Sequence, residues 1–192
     1  CCGTFGQAMQ LNQCLREAAN RTATNDPRFP KVSVSELPHL DLDVWLLFAP
    51  EQVTERGLDR INAVMIGKHG LQIIRGQQRG LLLPGVATDN GWDSEEFLNQ
   101  VCVKAGLTPT AWKSDDTTLF RFEGDVIHGP MSSAGQMSVS VPPRPLLTNS
   151  EFEQLTNFAR QSVFSLLSGM TPLYFCPGVP DADVHGVAVM IT

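Results

Sequence analysis

The sequence predicts an α+β domain, and three observations predict it. Leu40, Leu42, Val44, Leu46 and Phe48 alternate with Asp41, Asp43, Trp45 and Leu47, the period of a strand packed on one face. Leu71-Gln72-Ile73-Ile74 and Leu81-Leu82-Leu83 flank a glycine-bearing turn, which reads as a hairpin. Asp93 and Thr148 each precede a glutamate by three residues at the head of a helical apolar stripe, the pattern of a capping box.

In chain order, Ala8, Leu11, Leu15 and Ala18 recur at helical spacing and predict a first helix over 7–20 with one buried face. Asn25-Asp26-Pro27-Arg28-Phe29-Pro30 stops it, because each proline biases its predecessor away from helix. The strand from Leu40 is expected to close at Pro50, and the hairpin turn spans Arg75 to Gly80, with Gly76 and Gly80 relieving it and Gly106 capping the next helix. That helix begins after Asp93 and turns Phe97, Leu98, Val101 and Cys102 inward. Thr118 to Glu123 reads as one more strand. From Gly124 onward Gly129-Pro130, Gly135 and Pro142-Pro143 suit a linker. A long helix follows with Phe152, Leu155, Ala159, Val163, Leu166 and Leu167 on its apolar side, ended by Gly169. The run Gly186 to Thr192 is apolar on both faces and is expected to lie centrally in a sheet. The expected organisation is therefore a main part over 1–123, a linker over 124–147 and a helix–strand unit over 148–192.

Composition narrows the function. Apolar residues make up 42% of the 192 and charged residues 18%, which is a globular balance. The net charge is −6 and the arginines and lysines are scattered among acids, so nucleic acid is not an expected partner. No apolar run approaches the roughly 20 residues of a bilayer span, so no membrane is expected either. The first residues lack the basic and apolar stretches of a secretory signal. Five cysteines form no Cys-x-x-Cys pair, which favours a reducing compartment and a cytoplasmic protein.

Several segments taken together resemble the AMMECR family. They are Cys1-Cys2-Gly3-Thr4-Phe5, Asp26-Pro27-Arg28-Phe29-Pro30, Glu36-Leu37 with Asp41-Leu42-Asp43-Val44, Gly67-Lys68-His69-Gly70-Leu71, Arg79-Gly80-Leu81-Leu82-Leu83-Pro84, and Lys104-Ala105-Gly106-Leu107 with Trp112. The resemblance covers about the first 123 residues and implies a main antiparallel sheet flanked by helices, a smaller sheet-bearing lobe and a cleft between them. Two departures stand out. Gly85 follows the Leu-Pro pair where the family usually has Gln. The helix and strand that normally open the family's domain look like the segment 148–192, placed last, as in a circular permutant or a piece cut from a tandem array.

The resemblance aligns Cys1 with the family's motif cysteine and leaves Cys2 at a position commonly filled by a hydrophobe. A Cys1 thiolate near Arg28, Lys68 or Arg79 is a candidate nucleophile or ligand, against the reading of a small packed side chain. If the mature chain starts there, its α-amine would serve as the base. Arg28, between prolines, either clamps a carboxylate or phosphate or braces its own loop. His69 beside Lys68 is placed to titrate or ligate, yet no second histidine sits at ligand spacing, so no metal is expected. Cys1, Arg28, His69 and Arg79 are expected to line one concave surface.

No cofactor is named by the sequence. The resemblance implies an accessory component binding a small molecule or modified residue, in company with Memo-type and radical-SAM proteins. The rival is a non-catalytic interaction module. Limiting iodoacetamide separates the two, a hyperreactive Cys1 favouring chemistry. The helix–strand unit is further expected to pack on the first 123 residues, its strand beside the one entering at Cys1. The linker length would equally permit a domain-swapped dimer.

Overall fold

The structure, a computed structural model, describes residues 2–27, 29–131, 139–140, 148–170, 176 and 183–191; at 2, 4, 6–9, 139–140 and 183–186 it describes the backbone alone. Strand β1 (Cys2–Gln10) leads into helix α1 (Leu11–Thr24), followed by β2 (Asp41–Gln52), the hairpin β3 (Gly70–Arg75) and β4 (Gln78–Leu82), α2 (Pro84–Asn90), α3 (Ser94–Lys104), β5 (Thr118–Pro130), β6 (Val139–Ser140), α4 (Asn149–Leu167) and β7 (Asp183–Ile191). Short 3-10 turns occupy Leu37–His39, Gly57–Ile61 and Pro109–Lys113. The fold is α+β, and every strand pairing described is antiparallel. Two compact units divide the chain, Cys1–Leu47 with Asp125–Thr192, and Phe48–Gly124. The strands β2 and β5 contribute residues to both.

In the first unit the strand order is β1-β7-β2-β5, with β6 on β5. The terminal strand β7 takes the central place expected of a run apolar on both faces. Cys2 pairs with Val189 and Phe5 with Gly186 on one side, and Val44 pairs with Val189 and Leu46 with Val187 on the other. Strand adjacency between the first and last segments is thus met; the residues Cys1 and Thr192 themselves lie outside the described residues. Gly3 has a packing reason to be glycine, since a Cβ there would stand 2.5 Å from the Val187 carbonyl oxygen.

The core of this unit joins both ends of the chain. Leu11, Cys14, Leu15, Ala18 and Ala19 of α1, Leu42, Val44 and Leu46 of β2, and Phe152, Leu155, Phe158, Ala159 and Val163 of α4 are buried in one cluster with Val187 and Val189. Each large side chain buried there contributes roughly 1.5–3 kcal/mol, which is why α4 packs here and is not left solvated. Leu166 is half-buried only. Two polar contacts cross the cluster: Thr22 Oγ1 donates to the Val189 carbonyl at 2.7 Å, and the Cys176 amide donates to Asn12 Oδ1 at 2.9 Å. Helix α4 starts as expected, with Thr148 and Glu151 forming a reciprocal capping box.

Three boundaries and one helix cap differ from the sequence expectation. The helix predicted over 7–20 runs Leu11–Thr24, because residues through Gln10 extend β1 along β7 and tertiary pairing outweighs the local stripe. Strand β2 passes Pro50 to Gln52, bending at Ala49, which at φ 48° is the one non-glycine residue of positive φ among the described residues. Residues 124–130, expected as linker, continue β5. The capping box expected at Asp93 forms only by half: Asp93 accepts from the Glu96 amide, but the Glu96 carboxylate turns to the Asn99 and Gln100 side chains.

The second unit orders its strands β5-β3-β4. Leu71 and Ile73 of β3 and Leu119 of β5 bury one face against Phe97, Leu98, Val101 and Cys102 of α3, with Trp112 fully enclosed. The hairpin turn is two residues long, Gly76 taking φ 58°. Gly80 is no turn residue. It faces Ile73 across the hairpin and lies under α3, where a Cβ would meet the Val101 carbonyl oxygen at 2.5 Å and the Ala105 nitrogen at 2.7 Å. Helix α2 was not anticipated, although proline at its first position and Gly91 at its end, φ 66°, are its ordinary punctuation.

Candidate functional site

Within the second unit, Lys68 and His69 end the turn that enters β3. The turn closes on itself, with the Lys68 and His69 amides both donating to the Met65 carbonyl. The Met65 amide in return donates to His69 Nδ1 at 3.1 Å. A backbone amide can only donate, so Nδ1 carries no proton and the neutral ring holds its proton on Nε2. His69 is 9% exposed. Burial, followed by the nearby Arg121 and Lys68 cations, pushes its pKa below the ordinary histidine value, and Glu123 and Glu51 oppose this only partly.

Charged neighbours complete the corner. Lys68 Nζ lies 3.2 Å from Glu123 Oε1. Arg121 donates from Nε and Nη2 to Glu51 Oε2 at 2.9 and 2.7 Å, and from Nη1 to the Ala63 carbonyl at 2.8 Å. Register explains the meeting: Arg121 pairs with Leu71 and Phe122 with Gly70, so the β5 residues 121 and 123 flank the start of β3. The result is a neutral imidazole among two cations and two carboxylates. In this state the ring is a hydrogen-bond donor through Nε2, and coordination there would require stripping that proton. Among the described residues, no three His, Cys, Asp or Glu side chains lie close enough to hold a metal ion.

The other sequence candidates divide. Arg79 is exposed and pairs with Ile74, four positions along β3 from Gly70. At about 3.4 Å per residue that is roughly 14 Å, so the structure does not bring Arg79 to His69. Cys1 and Arg28 lie outside the described residues, as does the side chain of Cys2. Cys14, Cys102 and Cys176 are buried, and burial raises the thiol pKa of Cys102 and Cys176. A fast burst of alkylation would therefore report Cys1 or Cys2.

Sequence reading missed Glu51, Arg121 and Glu123, because nothing local marks residues brought together across 70 positions of chain. It also missed a pair in the first unit, His128 Nδ1 against Asp43 Oδ1, with the carboxylate side chain 14% exposed and the imidazole 54%. The alternation of β2 that carried Asp43 to the face opposite Leu42 and Val44 was the available signal for half of that pair.

A pH dependence follows from His69. Above its ordinary value of about 6.5 the folded and unfolded chains both hold the ring neutral, and its contribution to stability is fully present. As pH falls below that value the unfolded chain takes up a proton that the folded one refuses, so stability is lost until the lower folded value is passed. The slope from this group is at most about 1.4 kcal/mol per pH unit. His69→Gln is expected to flatten the fall in Tm between pH 7 and pH 5, and an unaltered profile would reject the assignment.

The AMMECR1 family profile matches residues 1–127. A protein of Methanothermobacter thermautotrophicus is 43% identical over 129 residues, covering 67% of this chain and 67% of its own length. One of Methanocella arvoryzae is 40% identical over 118 residues, covering 62% and 60%. The crystal structure of the uncharacterized protein PH0010 from Pyrococcus horikoshii superposes with a TM-score of 0.62 at 35% identity, covering 66% of this chain and 62% of that one. The chain thus spans about two thirds or less of the length of these relatives. Among the described residues no helix is long and apolar enough to cross a membrane.

Proposed function

The chain belongs to the AMMECR1 family, and from that premise we propose that it is an accessory component binding an anionic small molecule or modified residue, working with Memo-type and radical-SAM proteins. The observation that supports this is His69, fixed by the Met65 amide as an Nε2–H donor beside Lys68 and Arg121. A neutral donor flanked by cations suits recognition of an anionic group, since donor and charges act on the same oxygens without a proton transfer. Glu51 and Glu123 hold the cations in place, and a ligand anion would compete with Glu123 for Lys68. Cys1 remains the candidate nucleophile or ligand and Arg28 the candidate clamp in this proposal.

The test is a thermal-shift panel of phosphorylated and carboxylated metabolites on the full chain. A stabilising compound is expected to lose at least tenfold in affinity with Lys68→Ala and with His69→Phe, whose apolar ring cannot donate. Retention of affinity in both variants would refute the corner as the binding site.

A second reading, the non-catalytic interaction module, is favoured by a different observation. Leu58 and Met65, in the connection 53–69 between β2 and β3, are large apolar side chains 62% and 58% exposed, and apolar surface of this kind is what a docking partner would cover. Leu58→Glu with Met65→Glu is expected to abolish capture of a Memo-type protein if docking is the function, while leaving any thermal shift by small anions intact.

A further inference from the structure

Helix α4 carries a buried cation that no described residue matches with an opposite charge. Arg160 sits beside Ala159 and Val163 on the flank of the buried stripe and is 7% exposed. Its Nη1 donates to Asn157 Oδ1 at 3.0 Å. Its Nε and Nη2 meet no solvent and have no hydrogen-bond partner among the described residues. Burial pushes its pKa below the ordinary arginine value, and no carboxylate among the described residues offsets this. A guanidinium cannot relieve this by giving up its proton, so an uncompensated one in the interior is costly.

The geometry of the group says what is missing. In a guanidinium, Nε–H and one N–H of Nη2 point the same way and form the side edge that grips two oxygens of a carboxylate or phosphate at once. Asn157 occupies the nitrogen outside that edge and orients the plane, and the two-pronged edge is the part that no described residue engages. Structural arginines look different, and this chain contains one. Arg60, 5% exposed, spends Nε, Nη1 and Nη2 on the carbonyls of Glu55, Trp112 and Thr117 and on Thr117 Oγ1.

We infer that the Nε/Nη2 edge of Arg160 is a seat for an oxyanion, a carboxylate or a phosphate, with Asn157 as the residue that positions the guanidinium. The seat belongs to the first unit and does not depend on the Lys68–His69 corner of the second. Because neither nitrogen meets solvent, entry requires local opening of the helix flank, and binding is slow on the scale of mixing.

The experiment refolds the full chain by dilution into inorganic phosphate, into acetate, or into sodium chloride of equal ionic strength, and reads Tm. A saturable rise of several degrees is expected in phosphate or in acetate beyond the chloride control, and the responding ion identifies the class. Arg160→Met is expected to lose the response and, relieved of the buried charge, to melt at or above the ion-free wild type. Arg160→Lys, which keeps the charge but has no two-pronged edge, is expected to lose the response as well, and decides the matter should the methionine variant fail to fold. The Arg160 variants and the wild-type Arg160 are compared in the Lys68→Ala, His69→Phe background, where the corner cannot respond to anions, and the rise seen with Arg160 is expected to persist there. Equal Tm in all three salts, or a response that survives in the lysine variant, overturns the proposal.

Discussion

Gly80→Ala is expected to cost about 3 kcal/mol, the upper end of what overpacking a core does. The added Cβ would sit 2.5 Å from the Val101 carbonyl oxygen and 2.7 Å from the Ala105 nitrogen. Both are backbone atoms of the end of α3, so no side-chain rotation can make room and the helix must lift from β4. Lifting it loosens Val101 and Cys102, both fully buried. Gly76→Ala is the control. Gly76 has φ 58° and nothing within 4 Å of an added Cβ, so its cost is the left-handed backbone alone, about 1–2 kcal/mol. Equilibrium denaturation in urea checks both, and a Gly80→Ala loss no larger than that of Gly76→Ala would show that α3 yields without strain.

Arg60→Met is expected to destabilise by roughly 3–5 kcal/mol. The guanidinium bridges three stretches of the second unit, taking the carbonyls of Glu55, Trp112 and Thr117 together with Thr117 Oγ1. Methionine fills much of the volume but leaves those acceptors buried and unpaired, at about 1–3 kcal/mol each where water cannot reach. Arg60→Lys restores one or two bonds and should fall between. Urea denaturation followed by Trp fluorescence measures the series, since the Trp112 ring is fully buried beside this network. Equal stability of the methionine and lysine variants would mean that packing, and not hydrogen bonding, is what Arg60 contributes.

Elements whose signal is local were legible before the structure. The Thr148 capping box, the two-residue hairpin at Gly76 and the inward stripe of α3 are set by contacts within a few residues, so their sequence patterns carry them. Elements whose ends are set by distant partners were misjudged. Strand β1 continues through Gln10 because β7, more than 170 residues later, offers it pairing to Asp183. Gly80 resembled a turn glycine because its true constraint, the close approach of α3, lies over 20 residues away.

The candidate site divides along the same line. Lys68 and His69 were visible as a polar pair at a strand entrance, but the state of the imidazole was not. That state depends on Nδ1 facing the Met65 amide and on Arg121 arriving from β5.

The sequence by itself determined the α+β class, the family, the helix caps and the two-sided apolar strand that had to be central, because side-chain chemistry and period act over short stretches of chain. Only the tertiary structure decided that Glu51, Arg121 and Glu123 surround His69, that Arg79 stands away from them, and that Arg160 is buried with an edge no described residue engages. Those outcomes depend on strand register and helix packing, where a shift of one residue exchanges the faces of a strand, and no local pattern in the chain encodes which distant residue will lie opposite.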